Sequence, residues 1–172
     1  MKMSTENNEG EYSDDDDDDY DDIIEQQLQD ALDDDRNKSL LEMSNDEIKN
    51  VKHSVIYSIS AIKSTKDKEE ILNKLDEYMY VDQADEFKSG AYLRWISLTD
   101  ETLTKDSLNR GAFFCNIQIG KDECFVVCKK GPYYFQFAMD ECIIFQKLSQ
   151  MDQLLLEAIS TIDRERHLDD HI

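Results

Sequence analysis

The chain has 172 residues, of which 40% are apolar and 34% charged, with a formal net charge of −21. This length suits one folded domain with a tail and excludes two full domains. No run of about 18 apolar residues occurs, so no membrane-spanning helix is expected, and MKMSTENNEG has neither the apolar core of a secretory signal nor a glycine for myristoylation at Lys2.

The charge is unevenly placed. Residues 1–35 hold 16 of the 40 acidic residues and one of the 19 basic ones, or −15, which leaves 24 acidic and 18 basic residues, or −6, on 36–172. Like charges in a row repel and keep a chain extended. Residues 1–40 therefore read as a disordered acidic tail, and 41–168 as a single α+β domain.

The run SDDDDDDYDD supplies Asp14, Asp15, Asp16, Asp17, Asp18, Asp19, Asp21 and Asp22. An extended strand spaces carboxylates about 3.3 Å apart, close to the roughly 3.4 Å between phosphates along one DNA strand. The run is thus expected to imitate a nucleic-acid strand towards a basic protein surface. Ile24, Leu28 and Leu32 follow at intervals of four, the spacing of a helical stripe that folds on a partner. Calcium fits poorly. Asp14, Asp16, Asp18, Asp22 and Glu25 fall at EF-hand ligand positions, but Asp19 stands where the loop's sharp turn needs glycine. No metal and no other cofactor is expected.

Ser44 and Glu47 form a capping-box pattern that opens a helix over about 45–63, with Ile48, Val51, Val55, Ile59 and Ile62 as its stripe. After KSTKDK, Ile71, Leu72, Leu75, Tyr78 and Met79 predict a second helix over about 67–80, giving a helical hairpin. Beyond it the pattern turns short, aromatic and β-branched, predicting strands over about 91–98, 112–119, 123–129 and 133–139. Turns at Gly120–Asp122 and Lys130–Pro132 make the last three an antiparallel meander, and the polar stretch from Leu98 to Gly111 reads as a mobile loop. CIIFQKL suits either a fifth strand or a helical turn. Ser149, with Asp152 three residues on, opens a final helix over about 149–166. The expected fold is a helical hairpin, a four- or five-stranded antiparallel sheet and a closing helix, the sheet covered by helices on one face and curled on the other.

Chemistry-bearing patterns are sparse. Cys115, Cys124, Cys128 and Cys142 include no C-x-x-C pair and read as small buried hydrophobes in a reducing compartment. His167 and His171 are four apart near the end of the chain, and His53 stands alone. No phosphate-cradling, nucleophile-elbow or zinc-protease motif occurs. Arg94, Arg110, Lys129, Lys130, Tyr133 and Tyr134 fall in or beside strands, where one sheet face could stack bases and hold phosphates.

The stretches GAYLRWISL, RGAFFCNI and ECIIFQKLSQMDQLLLEAI, with lysine- and isoleucine-rich usage, resemble short proteins of the large nucleocytoplasmic DNA viruses. The resemblance covers roughly residues 88–162. It implies a virus-encoded protein of the host cytoplasm or virus factory, with the virion among its expected locations, and it brings no catalytic residues.

The expected function is a non-enzymatic interaction module whose acidic tail engages a basic protein, without membrane association. The alternative is a nucleic-acid-associated accessory factor of viral transcription or replication that uses the basic and aromatic sheet face.

Overall fold

The computed structural model describes residues 15–169. Among the described residues, five α-helices and six strands make an α+β domain. The helices are α1 (Asp15–Leu32), α2 (Lys38–Leu41), α3 (Asn45–Ser58), α4 (Thr65–Lys74) and α5 (Gln150–Asp169). The strands are β1 (Tyr78–Val81), β2 (Tyr92–Ser97), β3 (Ala112–Ile119), β4 (Cys124–Lys130), β5 (Tyr133–Ala138) and β6 (Cys142–Lys147). No helix among the described residues is long and apolar enough to cross a membrane.

All six strands join one antiparallel sheet in the order β1-β6-β2-β3-β4-β5. The meander of β3, β4 and β5 is present as expected. The sheet has six strands rather than four or five, because CIIFQK is β6 and YMYV is β1. Tyr78 and Met79 thus belong to a strand, not to the second helix. Their spacing from Leu75 suits a helix, but α4 ends at Lys74 and Tyr78–Val81 pairs with Ile144–Lys147. Non-local pairing decides here what local periodicity leaves open.

Both helix starts read from the sequence carry their caps. Ser44 Oγ accepts from Glu47 N and the Glu47 carboxylate accepts from Ser44 N. Ser149 and Asp152 exchange the same two bonds at the start of α5. The α3 stripe is shifted. Ile48, Lys52 and Ile56 are buried while Val51 is exposed, and α3 ends at Ser58, short of residue 63.

Two apolar clusters lie on opposite faces of the sheet. On one face, Met79, Val81, Leu93, Trp95 and Ile144 meet Phe114, Val126 and Cys128 under Leu40, Ile48, Leu155 and Leu156. On the other, Tyr78, Ile96 and Phe145 meet Ile56, Ile59, Ile62, Ile71 and Leu75. The stretch from Leu98 to Gly111 closes this second cluster. Leu103 and Leu108 are buried, Leu103 N donates to Ala61 O, and residues 105–107 form a 3-10 turn. It is a packed segment, not the loose loop its polarity suggests.

The sheet is strongly curled. Residues 139–141 alone connect β5 to β6, yet β6 lies four strand positions from β5 in the sheet order. Four steps of about 4.8 Å in a flat sheet exceed what three residues span. The curl begins where β2 and β3 separate after only two register pairs, and Gly111 sits at that junction with φ +104°. A bulge between Phe114 and Asn116 adds further bend.

Candidate interaction site

Two surfaces carry the residues singled out by the sequence. The first is α1. Asp15–Asp22 fall in its opening turns. Gln26 donates to Asp30 and Gln29 to Asp33, each four residues on, at 3.1 and 3.2 Å. Leu28 and Ala31 face inward and pack on the cluster around Trp95. Ile23, Ile24 and Leu32 stay exposed, with Asp22 and Glu25 among the neighbouring exposed positions.

This arrangement corrects two readings. Residues 15–32 form a docked helix, and Leu40 is buried, so extended, irregular chain does not run to residue 40. The stripe of Ile24, Leu28 and Leu32 is also divided: Leu28 packs on the domain and the other two do not. A helix rises only about 1.5 Å per residue. The backbone of Asp15–Asp22 is therefore helical instead of an extended strand with phosphate spacing. Asp14 lies outside the described residues.

A polar bridge holds α1 to the domain. Asn37 Nδ2 donates to Ala31 O at 2.8 Å, satisfying a carbonyl at the C-terminal end of the helix. Lys88 Nζ donates to Asn37 Oδ1 at 2.6 Å and to Asp152 Oδ1 at 2.5 Å. Asp152, at 4% exposure, also closes the cap of α5 through its other oxygen. Lys88 N donates to Gln146 Oε1, and Gln146 Nε2 to Glu86 O. Asn37, Gln146 and Asp152 are buried, and the described residues include no buried side-chain nitrogen or oxygen left without a partner. Sequence reading missed this bridge, since its partners are 51 and 64 residues apart.

The second surface is the sheet face left open beyond β2. Register aligns Tyr92, Phe113, Lys129 and Tyr134 in one row across four strands. Tyr92 and Phe113 meet edge to face at 5.0 Å, and Lys129 Nζ lies 5.3 Å from the centre of the Tyr134 ring. The row borders a cleft of about 660 Å³ lined by Lys88, Tyr92, Phe113, Lys147 and Asp152 among others. Of the six residues expected on this face, the register unites Lys129 and Tyr134. Lys130 and Tyr133 pair with each other one step away, on the opposite face. The Arg94 guanidinium is committed to Asn109 O and Lys74 O. Arg110 is exposed, and its carbonyl accepts from the Tyr92 hydroxyl.

The four cysteines are free thiols. Burial pushes the Cys128 thiol up to about 12, with Cys115 adding to the effect, and burial lifts Cys142 to about 11, so both remain protonated at neutral pH. His53 stacks on Tyr57 at 4.2 Å on α3. His171 lies outside the described residues. Compared with known proteins, the chain matches no family model, no curated protein and no solved structure.

Proposed function

We propose that this protein is a non-enzymatic interaction module whose acidic N-terminal segment engages a basic protein surface. The carrying observation is α1: an aspartate-rich helix fixed to the domain, with Ile23 and Ile24 exposed next to Asp22 and Glu25. A partner of matching chemistry offers lysine or arginine around an apolar patch. Charge steers the encounter, and burial of the isoleucines adds contact area that salt does not screen. The likeness to proteins of large DNA viruses supports an accessory role in the host cytoplasm, the virus factory or the virion.

The test is affinity capture from infected cells or the native source, followed by mass spectrometry. Deleting residues 1–35 is the wrong perturbation, because it also removes Leu28 and Ala31 from the core. Replacing Asp14–Asp19, Asp21 and Asp22 by asparagine removes the charge at nearly unchanged side-chain size and should release basic partners. Undiminished capture by that variant would refute the reading.

A second reading has its own support in the row Tyr92, Phe113, Lys129 and Tyr134, where rings and a cation lie together on an open sheet face. Such rows bind single-stranded nucleic acid by stacking bases beside phosphate contacts. The measurement is anisotropy of labelled single strands at low salt, with Tyr134→Ala and Lys129→Glu each weakening binding. No binding by the unaltered chain removes this reading.

A further inference from the structure

The two edges of the sheet are treated differently. At one edge, β1 has four residues, α3 packs against it, and Lys52 Nζ occupies Tyr78 O at 2.9 Å. At the other, β5 is YYFQFA, six residues without a charge or a proline, and β4 is the element that packs along it. Edge strands are ordinarily blunted by charge, proline or a covering element, since their outward amides and carbonyls template further pairing. The bond from Met139 N to Cys124 O fixes the alternation. Tyr133, Phe135 and Phe137 face β4 with their backbone groups, while those of Tyr134, Gln136 and Ala138 point outward.

We propose that β5 pairs antiparallel with β5 of a second copy of this chain, around a twofold axis at Gln136. Charge selects this occupant and this direction. Lys129 and Lys130 stand at the start of β5, and the exposed Asp140 and Glu141 follow its end. An antiparallel copy sets lysines against acids at both ends, whereas a parallel copy sets like against like. The facing residues also fit. Tyr134 stands opposite the small Ala138 of the other copy, and Gln136 opposite Gln136. On the inner face Phe135, half-buried in the single chain, stands opposite the equally half-buried Phe137. About six main-chain hydrogen bonds then join two six-stranded sheets into one.

The test is the mass of the full chain in solution by light scattering, between about 1 and 100 µM. The expected mass is twice the 20.1 kDa of one chain. Gln136→Lys sets two ammonium groups opposite each other and should raise the dissociation constant at least about tenfold with an unchanged circular dichroism spectrum. Gln136→Pro removes an outward amide only and should do the same. Reversing Lys129 and Lys130 to glutamate, or Asp140 and Glu141 to lysine, should weaken the dimer, and combining the two reversals should restore it. A chain that stays monomeric throughout the range, or a dimer indifferent to both Gln136 variants, overturns the proposal.

Discussion

Trp95 of β2 stacks on Phe137 of β5 with ring centres 4.4 Å apart, although β3 and β4 separate their strands in the sheet. Three strand steps in a flat sheet span about 14 Å, so the contact exists because the sheet curls around the indole. Phe135 approaches the same ring at 5.9 Å. Trp95 thus closes the curl from inside. Trp95→Ala should cost about 3–5 kcal/mol in urea denaturation. A double-mutant cycle with Phe137→Leu should show coupling of about 1 kcal/mol. Trp95 is the only tryptophan and is 8% exposed, so its emission should be blue-shifted when folded and move to the red on unfolding. A solvent-like emission from the folded chain contradicts this packing.

Gly111 is the pivot of that curl. A Cβ there would lie 2.5 Å from the Tyr92 ring and 2.6 Å from Leu93 O, at a positive φ that side chains rarely adopt. Gly90 has a comparable φ of +78° with open space around it. Gly90→Ala should therefore cost about 1–2 kcal/mol from backbone strain alone. Gly111→Ala should cost clearly more, on the order of 3 kcal/mol or above, because strain and overlap combine. Equal losses for the two variants would show that β2 can retreat from the added methyl.

Capping and hairpin chemistry were legible in the sequence because they are local. Ser44–Glu47, Ser149–Asp152 and Gly131 each act within a few residues, and the structure places them as read. The errors lie where distant partners decide. Nothing in YMYV announces pairing with Ile144–Lys147. Lys52 is absent from the expected stripe of α3, yet it is buried, and its ammonium reaches Leu75 O, Asp76 O and Tyr78 O and satisfies carbonyls past the end of α4. The acidic run was legible as charge, but its conformation was not. Leu28 and Ala31 draw the following turns onto the domain, and the run continues the same helix. The edge β5 was legible only as a strand, because its outer position follows from the whole sheet order.

Lys88 and Asp152 provide a test of how α1 is held. Their side chains are 24% and 6% exposed, and each is bonded further to Asn37 or to the cap of α5. Removing one partner of such a pair strands the other, at about 3–5 kcal/mol for a buried pair and towards the lower end here. Lys88→Met and Asp152→Asn should each destabilise by that order, and the double variant by less than their sum. The same variants should increase amide exchange in Asp15–Leu32, since the bridge through Asn37 reaches Ala31 O. Unchanged exchange in α1 would mean that Leu28 and Ala31 hold the helix without the polar bridge.

Alkaline pH should destabilise the domain through its buried acids. Burial raises Cys128 from 9.0 to about 12 and Cys142 to about 11, and it raises Tyr78 and Tyr80 as well. A group raised on folding keeps its proton in the native state where the unfolded chain has released it. Its contribution is complete below the unfolded value and is lost as pH climbs through the folded one. For Cys128 the window runs from about 9 to about 12, with a slope of up to about 1.4 kcal/mol per pH unit. Lys52 acts with the opposite sign, because burial lowers its ammonium despite the opposing effect of Asp76. It is common to both chains in a comparison of the parent with Cys128→Ala. The variant should be less stable at pH 8 because of the vacated volume, yet its urea midpoint should fall less between pH 9 and 10.5. Parallel decline in the two chains would show that Cys128 ionises in the folded state as readily as in the unfolded one.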